Sequence, residues 1–252
     1  MPYLKGGNLS DKGYVKEVRE LVLQKGKLWT FKYILKMLYW RIEVFLLFPF
    51  YHYIFDRYFY FRSDKIFYSL YSNLGSNRMG FVGERMIEIP LAKHFIENTE
   101  FTSCLEIGNV MQHHFLFEHE VLDKYEVSPG VINEDVSSYM FSKKYDLIIS
   151  ISTLEHVGFD ESEKEPGKVK KSILNIFSAL AKGGTIFISV PCGYNPEIDE
   201  ILKKNEFKFD ISYYQRNRFN SWSLTTKEVA LGRRFNYPYP FANALAILIL
   251  HP

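Results

Sequence analysis

Residues 145–157 read YDLIISISTLEHV. From Tyr145 to Ser152 the run is almost continuously apolar, as a strand covered on both faces should be. Thr153-Leu154-Glu155-His156-Val157 follows at once, so the strand delivers an acid and an imidazole to its carboxyl end. Downstream, Lys168–Ala181 carries Ile173, Ile176, Phe177 and Leu180 on one helical face. Lys182-Gly183-Gly184 is expected to stop that helix, the glycines supplying the positive φ of a cap. Thr185–Val190 (TIFISV) is the next buried strand, ended by Pro191.

The same alternation extends upstream. Glu84–Asn98 (ERMIEIPLAKHFIEN) reads as a helix kinked at Pro90, and Ser103–Ile107, Glu120–Asp123 and Gly130–Asn133 read as short strands. Ala242–Leu250 (ANALAILIL) is a last strand, expected to run antiparallel to its neighbours. Strands alternating with helices predict an α/β fold, a doubly wound and mostly parallel Rossmann-like sheet with right-handed crossovers. Ligands of such sheets bind beyond the carboxyl ends of the strands, near the switch in strand order. The residues just after each strand are therefore the candidates.

After the first strand of the alternation come Glu106, Gly108 and Asn109; the glycine lets the backbone turn sharply and approach a ligand. Glu106 either lines a cofactor site or caps the segment that follows. Asp123 ends the next strand, where a carboxylate can accept both hydroxyls of a ribose. Asp135, beside Glu134, follows the third. Glu155 and His156 follow the fourth, either facing an acceptor or capping the next turn. Pro191-Cys192-Gly193-Tyr194-Asn195-Pro196 follows the fifth and offers Tyr194 and Asn195 to a substrate. His113, His114 and His119 show no metal-ligand spacing and read as surface or loop residues. Cys104 and Cys192 form neither a CxxC nor a disulfide framework, which makes a reducing, cytoplasmic setting the default expectation.

Taken in order, LEIG, VLD, NEDV, YDLIISISTLEHV and LAKGGTIFISVP resemble the class I S-adenosylmethionine-dependent methyltransferases over about residues 84–190. The resemblance implies S-adenosyl-L-methionine as cofactor, with Glu106, Gly108 and Asn109 on the methionine side, Asp123 on the ribose and Asp135 at the adenine. It implies His156 or Glu155 facing the acceptor and Tyr194 and Asn195 shaping its pocket. The block after the fourth strand is similar to methyltransferases acting on small molecules, and the ERMIEIP and DKYE wording to a subgroup of surface polysaccharide pathways, so a small molecule or glycan is the expected acceptor. One departure is plain. The family's first loop carries three alternating glycines, whereas Val110 and Gln112 stand at two of those positions here. A non-catalytic binding or scaffold protein on the same fold is the alternative. A sugar-nucleotide dehydrogenase is disfavoured, because no GxGxxG follows the first strand.

The N-terminal third differs from the rest. Residues 1–70 hold 12 Lys+Arg and 6 Asp+Glu, a local +6, while the remainder balances at −4. Trp29–Phe61 carries 15 of the 43 aromatics. Leu28, Phe31, Leu35, Leu38, Ile42 and Phe45 recur at three- and four-residue steps, one face of a helix that Pro49 should end. Two readings stand: aromatics packed on the main core, or an interfacial segment on an anionic membrane. The uncharged run Val44–Phe55 is too short to span a bilayer, no signal peptide is visible, and no nucleic-acid partner is expected. The expected organisation is an aromatic, basic helical extension at 1–75 and a methyltransferase-like domain at 76–252.

Overall fold

A computed structural model describes residues 58–68, 83–115, 117–217 and 221–250, with positions 19, 22, 23, 26–32, 34, 35, 38, 42 and 46. The chain divides into two units, Met1–Arg57 with Leu70–Val82, and Tyr58–Ser69 with Gly83–Pro252. In the first unit, residues 27–32, 34, 35, 38, 42 and 46 are helical. The expected helix end at Pro49 and the aromatic run at 50–57 lie outside the described residues.

The second unit is built on an eight-stranded sheet. Its strands are β3 (Cys104–Ile107), β4 (Glu120–Leu122), β5 (Val131–Ile132), β6 (Tyr145–Ile151), β7 (Leu180–Pro191), β8 (Asp210–Arg216), β9 (Trp222–Thr225) and β10 (Ala244–Leu250), in the order β5-β4-β3-β6-β7-β10-β8-β9. The five strands from β5 to β7 run parallel, and β10 enters antiparallel between β7 and β8, as expected for the last strand. This is the mostly parallel, Rossmann-like sheet that the sequence predicts.

Alternation along the strands decides which face each residue serves. Ile148, Ile186, Ile188 and Val190 join one core with Val169, Ile173 and Ile176 of α2 (Lys168–Ala179), Ile198 and Ile201 of α3 (Pro196–Lys204), and Ala230 of α4 (Lys227–Leu231). The alternate positions Leu147, Ile149 and Phe187 are equally buried. Phe187 meets Phe95 of α1 (Arg85–Glu97), their ring centres 5.2 Å apart. Helices thus cover both faces, which is why β6 and β7 are apolar almost throughout. Between β3 and β6 the described connections are turns and loops, and the segment after β3 forms only a 3-10 turn, Met111–His113.

Two expectations need correcting. The α2 helix stops at Ala179, and Lys182-Gly183-Gly184 lies inside β7 rather than in a cap. There the register with β6 shifts between Tyr145 and Leu147, and a Cβ on Gly184 would come within 3.0 Å of the Tyr145 and Asp146 carbonyl oxygens. The glycine pair serves close strand contact at an irregularity. The boundary at residue 75 is also displaced. A hairpin of β1 (Tyr58–Phe61) and β2 (Asp64–Phe67) belongs to the second unit. Phe59 is buried edge-on against Tyr214 of β8, and the Tyr214 hydroxyl donates to the Tyr60 carbonyl at 3.0 Å. The aromatic run therefore splits, its last part being core.

Candidate active site

The parallel strands reverse their order between β3 and β6, and the carboxyl ends of those strands bound the crevice where such sheets bind ligands. Gly108 and Thr153 meet across it. Gly108 has φ +85°, and a Cβ there would fall 2.2 Å from Thr153 Oγ1, so only glycine lets the loop after β3 pass the loop after β6.

Glu106 is wholly buried, and its carboxylate is committed within the protein. Oε1 accepts from the Val110 and Met111 amides at 2.8 and 2.7 Å, and Oε2 pairs with His119 Nε2 at 2.7 Å. That carboxylate holds the loop through its capping contacts. His119 is no surface residue either. Its side chain is fully buried, stacked on Phe117 at 3.9 Å with Nδ1 against the Phe117 carbonyl. Asn109 donates from Nδ2 to Glu126 at 2.7 Å, while its Oδ1 is buried with no hydrogen-bond partner.

Asp123 uses one oxygen to organise its own loop, Oδ1 accepting from the Tyr125 and Glu126 amides at 2.8 Å each. Its second oxygen takes part in no described hydrogen bond or ion pair. Asp135 is different. Its Oδ1 accepts from Ser137, and its Oδ2 pairs with Lys124 and Lys168, each at 2.9 Å. Lys168, 6% exposed, also holds Glu161 and Glu165. Against desolvation, these lysines and Ser137 keep the Asp135 carboxyl far below the usual range. Asp135, expected at the adenine, ties the loops after β4 and β5 to the start of α2.

The mouth of β6 is where ionisable groups converge. Glu155 and His156 sit in a 3-10 turn, Leu154–His156. Burial pushes the Glu155 carboxyl up to about 7, with Glu88 adding to the rise and His156 and Arg85 opposing it; its Oε2 is buried without a partner. His156 Nε2 lies 3.6 Å from Glu155 Oε1, and its Nδ1 makes a short hydrogen bond to Asp160 Oδ2. Desolvation lowers the imidazole pKa, but Glu155 and Asp160 outweigh it and raise it above the ordinary value. Tyr194 donates its hydroxyl to the same Asp160 oxygen at 2.5 Å, and its ring packs against His156, Phe159 and Phe235. From α1, Arg85 bonds Glu88 at 2.7 Å, and Glu88 in turn accepts from Ser152 and Ser189 at the ends of β6 and β7. Asn195, expected to shape the acceptor pocket, is held within the protein. It is buried, donates to the Glu155 carbonyl and caps α3 by accepting from the Glu197 amide.

Of the residues predicted from sequence, Glu155, His156 and Tyr194 come together, and Gly108, Asn109 and Asp123 line up along the ends of β3 and β4. Asp160, Arg85 and Glu88 were missed. Asp160 was detectable at four residues from His156, a spacing that brings side chains together in any helical turn.

No protein-family model matches the sequence, and no curated protein does. Solved structures resemble the chain at low identity. One is N-methyltransferase NodS from Bradyrhizobium japonicum WM9 with S-adenosyl-L-homocysteine, at 12% identity, 64% of this chain, 83% of that chain and a TM-score of 0.40. Another is 1,6-didemethyltoxoflavin-N1-methyltransferase from Burkholderia thailandensis, at 14%, 64%, 75% and 0.41. A third is an S-adenosylmethionine-dependent methyltransferase from Clostridium acetobutylicum, at 13%, 63%, 87% and 0.34.

Proposed function

We propose that the chain is an S-adenosylmethionine-dependent methyltransferase whose acceptor is a hydroxyl of a small molecule or glycan. The observation that carries the reading is the imidazole of His156 held between Glu155 and Asp160 at the mouth of β6, beside the switch crevice bounded by Gly108 and Asp123.

The residues fit the cofactor. Asp123 keeps one carboxylate oxygen for a ribose after stabilising its loop, and the buried, unpartnered Oδ1 of Asn109 would accept from an ammonium group. Bound S-adenosylmethionine supplies an electrophilic methyl group on a sulfonium. His156 takes the acceptor's hydroxyl proton at Nε2, while Asp160 fixes Nδ1 and so the tautomer and orientation of the ring. Glu155 stabilises the imidazolium that results. Tyr194, Phe159 and Phe235 give an aromatic wall and Asp160 an adjoining carboxylate, a combination suited to a sugar ring.

The alternative, a binding module without chemistry, draws on the loop after β3, whose Val110 and Met111 amides are already occupied by Glu106. Calorimetry with S-adenosylmethionine and S-adenosylhomocysteine separates the possibilities. Asp123→Asn preserves the Oδ1 loop contacts but removes the charge, and should weaken binding about tenfold or more, the worth of a charged hydrogen bond. Binding that is unchanged in a folded Asp123→Asn protein sinks the ribose assignment. Absence of heat with either ligand sinks the cofactor. Cofactor binding with no methyl transfer to any hydroxyl-bearing acceptor favours the module.

A further inference from the structure

The helical residues of the first unit leave an apolar stripe in water. Leu28, Phe31, Leu35, Leu38, Ile42 and Leu46 are each 46–68% exposed. Counted along the sequence at the 100° per residue of a helix, these six positions would fall within an arc of about 80°. Six large apolar side chains confined to one narrow arc are the pattern by which a helix buries a face, and this face is bare. Lys27 and Lys32, both exposed and helical, flank the arc on its two sides. Residues 16–41 carry seven Lys+Arg against two Asp+Glu.

Charge decides among the occupants. A second copy would bring the same basic flanks against their own like. An anionic lipid surface accepts the apolar stripe below and the lysines at headgroup level, where their long stems can lie along the apolar face. We propose that this stripe attaches the protein to a membrane bearing anionic lipid, with the helix lying in the interface. Among the described residues no helix is long and apolar enough to cross a membrane, and the attachment proposed is peripheral and reversible. The attachment is independent of methyl transfer and stands or falls separately.

Sedimentation of the full chain with phosphatidylcholine vesicles, with and without phosphatidylglycerol, at low and high salt, is the test. Partitioning should be at least about tenfold stronger on the anionic vesicles at low salt and fall when salt is raised. Leu35→Glu/Leu38→Glu should abolish it with the thermal midpoint unchanged, because both residues face solvent. Lys27→Glu/Lys32→Glu should weaken it by roughly tenfold or more. Leu174→Glu, at an exposed leucine of the second unit, should leave it intact. The proposal is overturned by an intact protein that ignores anionic vesicles at low salt, or that binds both vesicle types equally. A marked drop in thermal midpoint for Leu35→Glu/Leu38→Glu overturns it too, since the stripe would then be packed. So does a dimer that the same variant dissolves, without vesicle binding, which would make a second copy the occupant.

Discussion

Glu155→Gln isolates a strongly perturbed ionisation at the mouth of β6. The side chain is 2% exposed, and burial holds its carboxyl at about 7 against an ordinary 4.5. A carboxyl raised in the folded state keeps its proton where the unfolded chain has already lost it. Its contribution to stability is whole below about pH 4.5 and drains away as pH rises through about 7. Each pH unit in that window costs about 1.4 kcal/mol, which sets a ceiling of roughly 3 kcal/mol. The opposing pull of His156 is already contained in the value of about 7, so the net effect should be at most roughly 3 kcal/mol. Glutamine has nearly the same shape and does not titrate. Urea unfolding of both proteins should give similar stabilities at pH 5 and a more stable variant at pH 8. Stability curves that run parallel from pH 5 to pH 8, or a variant that is weaker at pH 8, would refute the argument.

Gly108→Ala should cost about 2 kcal/mol or more, from the left-handed backbone and the collision with Thr153, and cofactor titration should show binding lost even at temperatures where the variant remains folded. Asp160→Asn should move the His156 titration, followed by NMR, to lower pH, because the carboxylate charge that helps raise the imidazole is gone; an unmoved titration would remove Asp160 from the positioning role. Lys168→Met should cost about 3 kcal/mol in denaturant unfolding by stripping a buried cation from Asp135 and Glu161, and a loss below about 0.5 kcal/mol would show that Lys124 alone holds them.

How much of this was visible in the residues depended on where each residue's partners lie. Strands β6, β7 and β10 are buried on both faces, so YDLIISI, TIFISV and ALAILIL declare themselves by composition alone. Strand β8, DISYYQR, and hairpin strand β2, DKIF, do not, because polar residues interrupt them and contacts made across the fold hold them in place. The glycine pair at 183–184 carried a helix-stop pattern, but the contact that demands a glycine comes from the β6 backbone. Asp123, Glu155 and His156 were legible because position after a strand is itself the signal. Asp135 stands after a strand in the same way, but its lysine partners come from other loops and could not be read from its position. Glu88 was invisible as a site residue because Ser152 and Ser189, which it accepts from, belong to distant strands.

The chain contains two glutamate–histidine pairs near the crevice, and the difference between them argues for where proton transfer belongs. Glu106 and His119 are both fully buried, 2.7 Å apart, with every remaining polar atom of the pair in use: Oε1 on two amides and Nδ1 on a carbonyl. Such a pair can orient a loop but offers no atom to a substrate. In Glu155 and His156 the separation is 3.6 Å, the imidazole is 37% exposed, and Asp160 engages only its Nδ1. Nε2 therefore faces a carboxylate at 3.6 Å, too distant for a full hydrogen bond. A base must be oriented and within reach of solvent, and of these two imidazoles only that of His156 is both held at Nδ1 by a carboxylate and partly exposed. The loop after β3 is locked by its own Glu–His pair, and under the proposed function recognition would fall to Asn109 Oδ1 and to the Asp123 oxygen that the loop does not use.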